Sequence, residues 1–135
     1  VRQRETNIED KMNNQEGNYT WVVPDGWLPP AGGKDDMINH ESLMIMNTGS
    51  KEAQIKLDIY FDDREPVRDL PLTVGAERIK AIRLDLPENI GFELPRAIQY
   101  ALRIKSNVKV IVQYGRMDVR QSNLAYYGTM AYPIK

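Results

Sequence analysis

Between Gln113 and Gln121 the chain reads Gln-Tyr-Gly-Arg-Met-Asp-Val-Arg-Gln, so Gln113, Arg116, Asp118 and Arg120 place planar, two-pronged hydrogen-bonding groups next to apolar strand-like sequence. A guanidinium recognises carboxylates or vicinal oxygens through a fixed fork, and carboxylates and amides pair with hydroxyls. That chemistry suits a sugar or a sugar acid. The same residues could instead form an ion-pair ladder that fixes a corner or a subunit contact, and the spacing leaves both open.

The second concentration of chemistry is His40-Glu41, which holds the single histidine of the chain. No second histidine follows four residues later, so this is not a zincin helix. With no cysteine and one histidine, a zinc site would have to be completed by carboxylates alone, and no metal or cofactor is expected. Ser42 or Ser106 could be imagined in a triad, yet no Gly-x-Ser-x-Gly elbow is present. The expectation is a non-enzyme with no catalytic residue. His40 would either cap the turn before the strand that starts at Ser42 or donate to a ligand beside Glu41. Trp21 and Trp27 bracket Pro24-Asp25-Gly26; either ring could stack on the apolar face of a sugar, but packing is the commoner role of Trp, and Trp21 is the expected core residue.

Other functions are disfavoured by composition. The 135 residues carry 18 basic and 19 acidic side chains, a formal net charge of −1, so no overall field draws the protein to nucleic acid or an anionic membrane. Arg103, Lys105 and Lys109 could share one small patch; the remaining basic residues are spread among acids, which speaks against nucleic acid without excluding it. No apolar run approaches the ~18 residues of a membrane span, and a cytoplasmic protein is expected. Residues 1–18 are crowded with charge and amide and read as a flexible polar extension or docking arm; residues 19–135 read as one domain.

The elements that must position these groups are strands. In Glu52 to Phe61, Ala53, Ile55, Leu57, Ile59 and Phe61 alternate with Gln54, Lys56, Asp58 and Tyr60, predicting one core face and one wet face. Leu70, Leu72 and Val74 repeat the pattern, as do Ile82, Leu84 and Leu86. Ser42 to Met46 and Lys109 to Val112 are apolar on both parities, as in central or interface strands covered on both faces. Residues 94–102 fit helix and strand alike; a strand is expected from about residue 99, and Ser106-Asn107 reads as the turn of a hairpin. With Tyr19 to Val23 and Tyr126 to Tyr132 this makes about eight strands, an all-β sandwich of Greek-key or jelly-roll type.

Read in order, several blocks resemble the family of the Anabaena sensory rhodopsin transducer: Trp21, Gly26 and Pro29-Pro30; His40-Glu41-Ser42; Asn47 and Gly49; Ile59-Tyr60, Asp63 and Glu65-Pro66-Val67; Leu72-Thr73-Val74, Ala76, Arg78, Lys80 and Arg83; Ser106-Asn107-Val108, Val112-Gln113, Arg116, Asp118, Arg120-Gln121, Thr129 and Ala131-Tyr132. The resemblance spans Trp21 to Tyr132. It implies a β-sandwich assembling as a homo-oligomer, a tetramer, and a non-enzymatic role in binding a small polar ligand such as a sugar or sugar derivative, or in docking on a membrane photoreceptor without inserting in the bilayer. DNA binding has also been proposed for the founding member. In the charged turn Asp62-Asp63-Arg64-Glu65-Pro66 the resemblance selects Asp63 and Glu65, and it adds Arg78. The expected ligand shell is therefore His40, Glu41, Asp63, Glu65, Arg78, Gln113, Arg116, Asp118 and Arg120. The polar residues 1–18 and the connection Pro87 to Pro95 depart from the family pattern.

Overall fold

The computed structural model describes residues 15–32, 38–120 and 125–135. Its eight strands, among the described residues, are β1 (Asn18–Trp27), β2 (His40–Asn47), β3 (Ala53–Tyr60), β4 (Val67–Val74), β5 (Arg78–Arg83), β6 (Gln99–Asp118), β7 (Ala125–Met130) and β8 (Tyr132–Ile134); one short helix, α1 (Pro87–Ile90), lies between β5 and β6. All pairings are antiparallel. The fold is an all-β sandwich. Of the expected polar extension, residues 1–14 lie outside the described residues.

One strand belongs to both sheets. The first half of β6 pairs with β3 and β1 in the order β4-β3-β6-β1-β8, and its second half pairs with β2 and β7, with β5 beyond β2. The expected hairpin at Ser106-Asn107 is therefore absent, and the 20 residues of β6 run straight through it. The turn chemistry is used to pass the strand between sheets: Ser106 Oγ accepts the Val108 N–H at 3.3 Å and Asn107 Oδ1 accepts the Gln54 N–H at 2.7 Å. At the C-terminus the opposite occurs. The single strand expected over Tyr126 to Tyr132 is two, β7 on the second sheet and β8 on the first, because the chain crosses at Ala131, whose N–H bonds Val112 O.

Inward-facing residues of both sheets merge into one core that includes Trp21, Val23, Leu43, Ile45, Leu57, Ile59, Leu102, Ile104 and Val112. Trp21 is core, as expected, and its indole N–H reaches Val110 O at 2.8 Å. One expectation about faces fails. Asp58, assigned to the wet face of β3, is fully buried: β4 bulges opposite it, with Asp69 at φ 60°, and the Asp69 N–H bonds Asp58 Oδ1 at 2.9 Å while Lys105 Nζ lies 3.0 Å from Oδ2. β2 is central, and its outward face, which the central-or-interface reading left open to a partner, is not covered by the described residues, so Met46 is 39% exposed beside Ile79 at 65%.

Candidate functional site

Glu41 is the centre of the site, and the sheet places it there. In β2 it alternates with His40 and Ser42, so its side chain points inward with Leu43 and Ile45. Across the ladder its partner is Arg116 of β6. The carboxylate is completely buried, an arrangement that is tolerated only with partners. It has three: Tyr100 Oη–H donates to Oε1 at 2.6 Å, Arg116 Nε–H to Oε2 at 2.9 Å, and the Trp27 backbone N–H to Oε2 at 3.3 Å. Thus β1, β2 and both halves of β6 meet on one carboxylate.

Local sequence explains why these groups converge. Gly26 faces Tyr100 in the β1–β6 ladder, and any Cβ there would collide with the Tyr100 ring, so the missing side chain is what lets the phenol reach Glu41. Pro24-Asp25 sits where the ladder register shifts, a bulge that accommodates a proline inside a strand. Behind Trp27, the loop is pinned by buried Asn39, whose Nδ2 donates to Pro30 O at 2.8 Å and whose Oδ1 accepts the Val119 N–H. Arg96 adds bonds to Pro29 O at 2.8 Å and Asn39 O at 3.1 Å, and the nearly buried Asp85 carboxylate pairs with Arg83 at 2.6 Å and Arg96 at 3.5 Å.

Burial raises the Glu41 carboxyl above its ordinary value, opposed by its bonds to Tyr100 and Arg116. Burial, then the Glu41 charge, raises the Tyr100 phenol well above its ordinary value, so Tyr100 remains a donor. The Arg116 guanidinium is raised despite burial because Glu41 stabilises its charge. That guanidinium lies 5.9 Å from the Trp27 ring centroid and 5.4 Å from that of Tyr127, and its Nη2 is buried with no hydrogen-bond partner among the described residues. Arg120 adds a second cation 5.1 Å from the Trp27 ring while its fork grips Asp118 at 2.6 Å. Arg116, Asp118 and Arg120 therefore split into two pairs, Arg116 with Glu41 and Arg120 with Asp118.

Beside this cluster is a cavity of about 240 Å³ between β1 and the β7–β8 corner, with Val22, Asp25, Tyr114, Tyr127 and Thr129 among its walls. Tyr114 and Tyr127 meet edge to face at 6.4 Å. No group of metal-ligating side chains occurs among the described residues.

The expected shell is divided by the structure. Glu41, Arg116, Asp118 and Arg120 are together around Trp27. His40 faces the opposite side of β2, its Nδ1 2.8 Å from Ile38 O, which matches the turn-capping role and not a ligand shared with Glu41. Gln113 is exposed on the outward face, between Met44 and Met130. Asp63 pairs with its neighbour Arg64 at 2.9 Å in the exposed β3–β4 turn, where Glu65 is also exposed. Arg78 lies opposite Asn47, six residues or ~20 Å along β2 from Glu41; it borders a separate depression with Met46 and Ile79. Residue types alone did not pick out Tyr100, Tyr114 and Tyr127. The available signal was that Tyr100 and Tyr114 share the parity of the apolar Leu102, Ile104 and Val112; nothing in the sequence singled out Tyr127.

A family model described as Anabaena sensory rhodopsin transducer matches residues 16–133. The chain belongs to that family. The solved structure of the Anabaena sensory rhodopsin transducer is 36% identical, with a TM-score of 0.67, covering 80% of this chain and 95% of that one. A crystal structure of Thermotoga maritima 1070 is 31% identical with a TM-score of 0.79, covering 88% of this chain and 97% of that one. No match was found among curated protein sequences. No helix among the described residues is long and apolar enough to cross a membrane.

Proposed function

We propose that this transducer-family domain is a non-enzymatic, cytoplasmic small-molecule sensor whose ligand site is the Glu41–Arg116–Trp27 cluster, and that ligand occupancy is relayed to a partner protein. The observation that carries the reading is the Arg116 guanidinium, held between two aromatic rings by a buried carboxylate and retaining an Nη2 group without a partner among the described residues. A guanidinium serving structure alone would be expected to have its donors satisfied. A small polar ligand, a sugar or sugar derivative, fits the mixture of aromatic walls and forked polar groups. Asp118 and Arg120 belong to this site; His40, Gln113, Asp63, Glu65 and Arg78 are removed from the proposed shell by their placement.

Relay requires a surface, and the outward face of the second sheet supplies one. Met44, Met46, Ile79, Met130 and Tyr126 of β2, β5 and β7 form an apolar face around the exposed Gln113 of β6. Its strands had the both-faces-apolar pattern of an interface, and a homo-oligomer, a tetramer in the family pattern, would cover it. Ligand binding at Arg116 would reach that face through β6 and β7, by favouring one arrangement of those strands.

The test is a thermal-shift screen of the protein against sugars, sugar acids and nucleotides, since a ligand bound only by the native state raises the melting temperature by mass action. A hit lost in Arg116→Ala supports the site. A flat screen at high ligand concentration removes the small-molecule reading and leaves a protein-interaction role, which pull-down of a receptor with the intact chain would detect.

A further inference from the structure

The cavity between β1 and the β7–β8 corner is lined by a tyrosine whose polar group none of the described residues uses. Tyr114 lines it, is 1% exposed, and its hydroxyl is buried without a hydrogen-bond partner among the described residues. A buried hydroxyl in that state is destabilising, and a protein that keeps one beside a cavity keeps it at some cost to its stability. We infer that this cavity binds an uncharged single ring carrying an acceptor oxygen, with the Tyr114 hydroxyl as its anchoring donor. The inference rests on the small-molecule reading above and extends its site from Arg116 into the adjoining cavity through Tyr127, which the two share.

Size, walls and charge give the class. At about 240 Å³ the space is below the ~300 Å³ at which pockets for drug-sized ligands begin, so it admits one ring with small substituents. Val22, Val23, Pro24 and Ala131 supply apolar walls, and the edge-to-face phenols of Tyr114 and Tyr127 offer surfaces on which a ring face can stack. Among the described residues no lysine or arginine lines the cavity, whereas Asp25 does. The nearby Arg116 charge is already matched by Glu41. An anionic ring would therefore meet the Asp25 carboxylate, while the Arg116 charge is shared between Glu41 and Asp25, and a sugar acid is disfavoured against its neutral parent. Access to the sealed hydroxyl lies past Tyr127, which is 45% exposed on a strand that is exposed along its whole length. Neutral pyranoses and neutral aromatic rings bearing oxygen share this chemistry.

The experiment measures binding of D-glucose, D-galactose and D-xylose, of phenol and uracil, and of D-glucuronate and D-galacturonate, by ligand-observed NMR and calorimetry. Wild type, Tyr114→Phe and Asp25→Asn are compared, each with its melting temperature. A neutral ring should bind wild type at least about tenfold more tightly than its acid counterpart. Tyr114→Phe should weaken that ring about tenfold with a melting temperature equal to or above wild type, because the lost hydroxyl bonds nothing in the protein. Asp25→Asn should narrow the gap between neutral ring and acid. Binding by pyranoses alone or by phenol and uracil alone identifies the source. Preference for the acid, unchanged binding in Tyr114→Phe, or a lowered melting temperature in that variant overturns the inference while leaving a small-molecule sensor standing. Failure of every neutral ring also overturns it, and only a flat response that includes the acids removes the sensor reading as well.

Discussion

Two buried carboxylates in this sandwich face one cation each, and they are finished differently. Asp58, on the first sheet, is sealed beneath the β4 bulge with the Asp69 N–H on one oxygen and Lys105 on the other; Lys105 reaches on to Asp69 at 2.9 Å and is about a third exposed. The arrangement is local and closed, and its cation can hydrate if the partner is lost. Glu41, on the second sheet, binds Tyr100, Arg116 and the Trp27 backbone from three directions, yet leaves Arg116 Nη2 between two rings with no partner among the described residues. Burial of a charge pair therefore does not by itself mark a functional site. Each network keeps one buried polar atom without a hydrogen-bond partner among the described residues, Asp58 Oδ2 and Arg116 Nη2, so what separates the two is where they end: one on a partly exposed lysine, the other between two aromatic rings next to a cavity.

Breaking the Glu41 network should have the largest effect. Glu41→Ala leaves a mostly buried guanidinium and a buried phenol without their partner, and should cost about 3–5 kcal/mol of stability in urea denaturation, the range for half-broken buried pairs. Asp58→Ala should cost less, about 1–3 kcal/mol, because Lys105 keeps Asp69 and water while one backbone N–H loses its acceptor. A loss at Asp58 equal to that at Glu41 would erase the distinction. Gly26→Ala should fall in the range of overpacking, about 1–3 kcal/mol, since the added methyl meets the Tyr100 ring and pushes its hydroxyl off Glu41; loss of ligand response in the same variant would tie that hydrogen bond to the site.

Titration sharpens the contrast with the surface pairs. The folded Glu41 carboxyl is raised above its ordinary 4.5, so between that value and the folded pKa the folded chain holds a proton that the unfolded chain has released. Its contribution therefore favours folding on the acid side and is lost as pH rises through the folded pKa. Asp118, lowered first by its bond to Arg120, has the opposite sign: its contribution is present above the ordinary carboxylate value and is lost on acidification. Stability measured from below pH 4.5 to neutrality should show the wild-type minus Glu41→Gln difference shrinking with rising pH and the wild-type minus Asp118→Asn difference growing. The smallest effect is expected at Asp63, which is fully exposed with its neighbour Arg64 as partner: Asp63→Asn should leave both melting temperature and ligand response unchanged.

Period-two alternation was enough to read most strands, the all-β class and the start of β6 near residue 99, because burial on one face imposes it directly. The strand count agrees for compensating reasons: two expected strands are the single β6, and one expected strand is β7 and β8. Ser106-Asn107 carries turn chemistry, but partners are available to β6 on both sides before and after it, so extended pairing overrides the local preference. Asp58 was misread because one residue in an αL conformation at Asp69, on another strand, changes which atoms cover it.

Residue chemistry by itself determined that this protein would be a cysteine-free β-sandwich with forked polar groups near Glu41 and Arg116. Only the tertiary structure decided that these two face each other while His40 and Gln113 turn away, because ladder register fixes which inward positions meet. It alone also decided which tyrosine hydroxyl is answered and which is not. Tyr100 and Tyr114 are both inward-facing phenols on one strand, but Glu41 stands opposite the first, and beside the second there is a cavity.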